Sequence, residues 1–206
     1  NKEVENMRLG IFILFIAVMM SGYSQDTKLR VEIDPSSQLQ IKGRTNVVSF
    51  VLEQDAAHLV PQRAFQLAVK IVDQNRYTLS QNTLNINVKN FTSNNPMALR
   101  DFLKLIKSNE YPQIKVILNY MDIKSGEKQD KKKGVANVTY TITGVSKTYQ
   151  MNVVATPIGD KLVLDGEKRL SIKDFGLEPP SPLMGLIKVS EWIDIHLKLV
   201  CKADLL

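Results

Sequence analysis

Few side chains in this sequence could carry out chemistry. It has two histidines, His58 and His196, and a single cysteine, Cys201. A metal centre announces itself by His and Cys ligands at short, repeated spacings. Neither histidine has a second His or Cys nearby, so metal spacing is absent and each reads as a surface histidine, His58 in a loop and His196 on the outer face of the last strand. Cys201 has no partner for an intrachain disulfide and reads as a small apolar filler on that strand. Asp174-Phe175-Gly176 matches the metal-binding tripeptide of kinases, but neither a phosphate-covering glycine loop nor a catalytic-loop motif accompanies it. An acid–base enzyme would need a cluster such as Asp101 with Arg100 and Tyr111 turned toward a cavity. Asn90-Phe91-Thr92 and Asn137-Val138-Thr139 fit the short glycosylation pattern, the second inside a predicted strand. The pattern points to a protein that holds something in a pocket rather than one that transforms it.

Charge and end segments narrow the setting. The net charge is +6, with the basic residues scattered except for Lys131-Lys132-Lys133. Aromatic residues are not interleaved with that run, so it reads as a solvated loop and not as a nucleic-acid site. Met7-Arg8 followed by the apolar residues 9–20 and the small residues Ser21, Gly22 and Ser24 has the anatomy of a secretory leader. The apolar run is too short to span a hydrocarbon core of ~30 Å as a helix. Met7 reads as the start, residues 1–24 as the removed segment, and residues 25–206 as one domain. The expected location is periplasmic or secreted, with no stable membrane span after cleavage.

The elements that must position any pocket alternate with period two. Phe65, Leu67, Val69 and Ile71 form one series; Leu84, Ile86 and Val88 another; Ile114, Val116, Leu118 and Tyr120 a third. Val138, Tyr140 and Ile142, then Met151 and Val153, then Ile193, Ile195, Leu197 and Leu199 continue the pattern. Each series turns one apolar face inward, as antiparallel strands around one core require. Runs at residues 39–41, 47–52 and 162–164 bring the strands to about eight or more. Turn signals stand at residues 123–126, at Gly144-Val145, at Gly159-Asp160 and at Asp165-Gly166. The spacing predicts an all-β fold with one or two short helices, a meandering antiparallel β-barrel or sandwich.

The clear helix lies at residues 95–108. Asn95 is an N-cap candidate, Pro96 occupies a position where its missing N–H costs nothing, and Leu99, Phe102, Leu103 and Ile106 recur at helical spacing. Phe102 and Ile106 should point into the barrel while Lys104 and Lys107 face water. With Val116, Leu118, Val138, Tyr140, Met151, Val153, Ile193 and Ile195 they make up the candidate apolar cavity, whose inward series carries no buried charge. Alternation is the same for a packed interior and a hollow one, so a filled core stays open at this stage.

Several motifs in order resemble the YceI-like family of exported bacterial proteins. Gln40-Ile41-Lys42-Gly43-Arg44-Thr45-Asn46-Val47 is similar to the family's "I-x-G-x-S-N-V", and Met97-Ala98-Leu99-Arg100-Asp101-Phe102-Leu103 to "M-x-x-D-F-L". Glu110-Tyr111-Pro112-Gln113-Ile114 follows. Ile142-Thr143-Gly144-Val145-Ser146-Lys147 is close to "L-T-I-x-G-V-T-K". Lys173-Asp174-Phe175-Gly176-Leu177-Glu178-Pro179-Pro180 and Met184-Gly185-Leu186-Ile187-Lys188-Val189 complete the series. Order and rough spacing hold across residues 38–200. The chain departs from the family in having Asp34-Pro35-Ser36-Ser37 where many members carry "D-x-x-H-S". The resemblance implies a lipocalin-like antiparallel barrel that binds a polyisoprenoid chain, as in a quinone or a lipid-linked carrier, without cofactor, metal or catalytic residues. It names no individual ligand contacts. A small hydrolase or isomerase using the same cavity is the alternative, and a homodimer stays open.

The leader makes one prediction. Protein exported by a host with the matching pathway should begin at or near Gln25 on N-terminal sequencing. A chain still starting at Met7 and held in the membrane fraction would contradict it.

Overall fold

A computed structural model describes residues 27–59, 64–73, 75–123, 131–180 and 186–206. The leader, Gln25, the turn at Gly126 and Met184-Gly185 of the last motif lie outside the described residues. Among those residues run β1 (Thr27–Ile33), β2 (Gln38–Arg44), β3 (Ser49–Asp55), β4 (Ala64–Asp73), β5 (Arg76–Leu79) and β6 (Thr83–Asn87). They are followed by β7 (Gln113–Ile123), β8 (Lys132–Ile142), β9 (Val145–Ile158), β10 (Lys161–Ser171) and β11 (Trp192–Leu205). A one-turn helix α1 (Ala56–Leu59), a longer helix α2 (Pro96–Leu105) and two 3-10 turns, Val88–Asn90 and Ile172–Phe175, complete the elements.

Every strand pairing is antiparallel, and the order β1-β4-β5-β7-β8-β9-β10-β11 returns to β1 as a closed barrel of 8 strands. Closure leaves that ring without an unpaired edge. The remaining strands share two long neighbours with it. β11 gives Asp194 to Lys198 to β2 and Cys201 to Leu205 to β1. β7 gives Gln113 to Ile117 to β6 and Met121 and Asp122 to β5. One end of the barrel is therefore walled by β1, β4 and β5, and the other by β2, β3 and β6.

The transition on β11 falls at Val200. Its carbonyl accepts from the Asp34 N–H (2.8 Å), and its N–H donates to Ser37 Oγ at 2.8 Å. Ser37 is 1% exposed, so its hydroxyl serves a backbone group that no ladder and no water could reach. Across the barrel, β3 and β6 do not pair. The gap between them is spanned by reciprocal bonds of Glu53 with Thr92 (2.9 Å each), by Gln54 Nε2 donating to the Asn87 carbonyl (2.7 Å), and by α1 with its fully buried Leu59.

Local chemistry explains the remaining boundaries. Asn95 caps α2, its side chain accepting from the Ala98 N–H at 3.1 Å, and Pro96 opens the helix as expected. The β8–β9 hairpin turns on Thr143 (φ 49°) and Gly144 (φ 80°), a pair of left-handed residues matching the strand twist. Asp174-Phe175-Gly176 ends a 3-10 turn capped by Ser171. Phe175 is sealed in the core, and Asp174 accepts from the Tyr149 hydroxyl at 2.6 Å.

Several expectations are corrected. Asp165-Gly166 is no turn; it lies mid-strand in β10, opposite Val154 and Val153. A Cβ at Gly166 would stand 2.5 Å from Met151 Cε, the flexible tip of a side chain that would have to swing aside. The third apolar series breaks at a bulge at Asn119, between Leu118 and Tyr120. It turns Tyr120 outward, where the Arg76 guanidinium lies 4.0 Å from its ring and forks onto Asp122 (2.7 and 2.8 Å), and it brings Met121 and Ile123 to the inner face. Lys132 and Lys133 belong to β8, not to a loop, and His58 sits on α1, bonded to Asp55 at 2.9 Å. Val88 leaves the strand for a 3-10 turn. β1 and β5 add two strands that the sequence reading did not name.

Ser37→Ala should cost ~1–3 kcal/mol, because it leaves the buried Val200 N–H unpaired. Urea unfolding should show a lower midpoint at unchanged slope. Ser49→Ala, at an exposed position at the start of β3, should stay within ~0.5 kcal/mol of the parent. Equal effects at the two positions would remove Ser37 from this role.

An apolar cavity inside the barrel as the candidate functional site

The inward faces of the strands do not meet. They enclose a cavity of about 1090 Å³. Alternation delivers the walls: Val116 and Leu118 from β7, Val138 and Tyr140 from β8, Met151 and Val153 from β9, and Ile193 and Ile195 from β11. Phe102 enters from α2, and Ile106, the residue that caps that helix, from just beyond it. All ten residues singled out in the sequence border the cavity. Val116, Leu118, Val153 and Ile193 face inward and yet are only half-buried, the signature of a wall that looks onto empty space and not onto packed neighbours.

The structure adds residues that the sequence reading passed over. Leu29, Val31 and Ile33 of β1 and Leu39 and Ile41 of β2 line the same space, as do Met121 and Ile123 beyond the bulge. The signal for β1 was present in the alternation of Leu29, Val31 and Ile33 with Lys28, Arg30 and Glu32. The bulge had no signal in periodicity. Lys132 also borders the cavity, and burial lowers the pKa of its ammonium group. The walls are thus apolar, with a cation reaching one end, which corrects the expectation of an inner series free of buried charge.

Several polar groups at or beside the cavity are paired or held neutral by burial. Tyr140 is buried, its hydroxyl donates to Met151 Sδ at 3.5 Å, and burial pushes its phenol up to about 12. Burial likewise pushes the Cys201 thiol up to about 11, so the thiol stays protonated on the inner wall. Asp34 and Lys161 pair at 2.5 Å, and the ammonium holds the carboxyl well below the usual carboxylate range. The acid–base trio does not assemble. Asp101 borders the cavity, but Arg100 is exposed, and the Tyr111 hydroxyl is bonded to Glu110, which raises its pKa.

One group of potential ligands lies on the outer wall. His196 Nε2 is 2.8 Å from Asp165 Oδ1, and with Glu167 their ligating atoms fall within 4.8 Å of one another. Spacing along the chain could not reveal it, because β10 and β11 supply the members across the sheet. Gly166, between the two carboxylates, faces the interior, so the group stands on the opposite side of the wall from the cavity.

The two phenylalanines near the top of the interior should behave differently. Phe102 packs edge-on against Phe91 (5.4 Å between centroids) but also faces the cavity. Phe175 is 1% exposed. Phe175→Ala should cost ~3–5 kcal/mol, as for a fully packed ring, and Phe102→Ala about 1–2 kcal/mol. Chemical denaturation of both variants checks this, and a loss at Phe102 as large as at Phe175 would mean that it sits in a filled core.

No protein-family model and no curated protein sequence matches the chain. Solved structures do. A polyisoprenoid-binding domain from Saccharophagus degradans implicated in plant cell wall breakdown superposes with a TM-score of 0.58 at 12% identity, over 84% of this chain and 98% of that one. BcnA of Burkholderia cenocepacia gives 0.45 at 14% identity over 84% and 95%, and a YceI protein of Campylobacter jejuni 0.48 at 14% over 65% and 78%. The chain thus shares the antiparallel barrel fold of the Saccharophagus domain.

Proposed function

We propose that this is an exported, YceI-like lipid-binding protein that holds a polyisoprenoid, such as the tail of a quinone or of a lipid-linked carrier, inside its barrel. The carrying observation is the cavity of about 1090 Å³ with nearly continuous apolar walls. That volume is at the upper end of small-molecule sites, and its few polar groups suit a ligand that needs little polar recognition. The likeness of fold to a polyisoprenoid-binding domain supports the same reading. So does the hydrophobic arithmetic. Burying ~400 Å² of a prenyl tail contributes about 10 kcal/mol gross, of which ordering a flexible chain and losing its free motion offset a large share. Residues 9–20 support export, and no helix among the described residues is long and apolar enough to cross a membrane. The head group rests at an end of the barrel while the tail lies among Val116, Leu118, Val138, Met151 and Ile195.

Titration with a series of prenyl compounds tests this. Affinity should fall steadily as the tail is shortened and respond less to the head group. Val138→Trp or Met151→Trp should block the tail without unfolding the protein, because the cavity can take the added volume. Equal affinity across tail lengths, or no binding by any compound, would overturn the lipid-container reading.

A further inference from the structure

The tip of the β2–β3 hairpin inverts the usual arrangement of a loop. Hairpin tips ordinarily present polar side chains to water. Here the side chains of Thr45 and Asn46 are taken up by hydrogen bonds to the backbone. Thr45 Oγ1 accepts from the N–H groups of Val47 (3.1 Å) and Val48 (2.9 Å), and the Thr45 N–H donates to the Val48 carbonyl at 2.8 Å. Asn46 clamps the neighbouring segment: its Nδ2 donates to the Leu186 carbonyl (3.1 Å), and its Oδ1 accepts from the Lys188 N–H (2.9 Å). Three apolar side chains of this unit also face solvent. Val47 is 74% exposed, Val48 53%, and Leu186 76%.

This tip stands at the opening of the cavity, since Val47 and Val48 border the cavity while being exposed. Its flank carries the chain's single tryptophan, Trp192, which is 45% exposed and whose N–H donates to Ser190 Oγ (3.1 Å). The Ser190 N–H in turn donates to the Arg44 carbonyl at 2.9 Å, tying the tryptophan's strand to the hairpin. Arg44 and Lys188, both in this bonded unit, bring positive charge to it. A braced tip with exposed aliphatic side chains, a tryptophan at its margin and basic residues beside them matches the layering of a bilayer surface. Aliphatic groups reach the acyl boundary, tryptophan sits at headgroup level, and cations meet anionic headgroups.

We infer that the β2–β3 tip, with Leu186 and Trp192, docks the cavity opening onto an anionic lipid bilayer. This rests on the reading of the cavity as a lipid site, and it names the surface from which the lipid is taken and to which it is returned. A tail passing from membrane to barrel then need not cross water. The +6 net charge and the local cations make the docking salt-dependent.

The test uses vesicles of phosphatidylcholine alone and of phosphatidylcholine with phosphatidylglycerol in equal parts. The protein should co-sediment with the mixed vesicles, less so at high salt, and Trp192 emission should shift to shorter wavelength. Val47→Asp with Val48→Asp should weaken vesicle binding by about tenfold or more, and Arg44→Glu with Lys188→Glu by at least about fivefold per charge. The charge-reversed variant should melt like the parent and bind a detergent-dispersed prenyl compound as the parent does, and so should Leu186→Asp, which lies outside the cavity lining and should also weaken vesicle binding. Binding of that compound reports on the cavity alone, so its loss in the parent would count against the lipid reading and not against the surface. Failure of the parent to bind mixed vesicles, or equal binding by the variants, would overturn the docking proposal. So would a dimer in sedimentation analysis that the valine substitutions abolish, because the patch would then be covered by a second copy.

Discussion

The barrel depends on a change of partner along β11. A strand that pairs with β2 near its start and with β1 near its end must pass a point where neither ladder can serve it. At Val200 that point is satisfied by the Asp34 N–H and the Ser37 hydroxyl, both from the turn that joins β1 to β2. Without those bonds a buried peptide group would be orphaned where the ring closes, at a cost comparable to a sizeable part of a domain's net stability. The same turn hands Asp34 to Lys161 at the start of β10, so one short segment ties together four strands, β1, β2, β10 and β11. On β7, where the partner changes from β6 to β5, the Leu118 N–H donates to the Asn82 carbonyl at 2.8 Å, and the bulge at Asn119 lies on the β8 side, its side-chain amide donating to Asn137 and Thr139 at 2.8 Å each.

Closing the ring with two tiers of strands has a consequence for the interior. Phe175, Leu170 and Val88 are essentially without exposure and lie outside the cavity lining, while Leu52 and Leu59, equally unexposed, border it. The middle of the barrel is left to walls that touch little. Hydrophobic burial and close packing are therefore separated in this protein: the packed residues and the hydrogen-bonded ladders carry the fold, and the hollow part is free to take a ligand. Its apolar lining is a standing liability in water, which a bound tail would relieve.

The charged residues follow the same division. Arg76 with Asp122 and His196 with Asp165 pair across neighbouring strands, and Lys173 with Glu191 pairs just outside them; all are partly exposed, where such pairs add little to stability. Of the titratable groups that border the interior, Tyr140 and Cys201 are pushed toward their neutral forms by burial. The walls between these groups remain hospitable to hydrocarbon.

Period-two alternation was enough to read an antiparallel barrel or sandwich in the chain, the resemblance pointing to the barrel, and with it the direction of Val138, Tyr140, Met151 and Ile195, because a strand's pleat places every second side chain on the same face. The capped helix was equally legible, since Asn95, Pro96 and the apolar spacing act within a few residues of one another. Tertiary structure decided what depends on distant partners. The bulge at Asn119 reverses a face that periodicity assigned the other way, and Gly166 is a clearance for Met151 and not a turn. His196, Asp165 and Glu167 meet only because β10 lies beside β11. Above all, whether the apolar faces meet or stand apart is set by the number of strands in the ring and by their shared neighbours. No local pattern of residues carries that information, because a packed barrel and a hollow one require the same alternation.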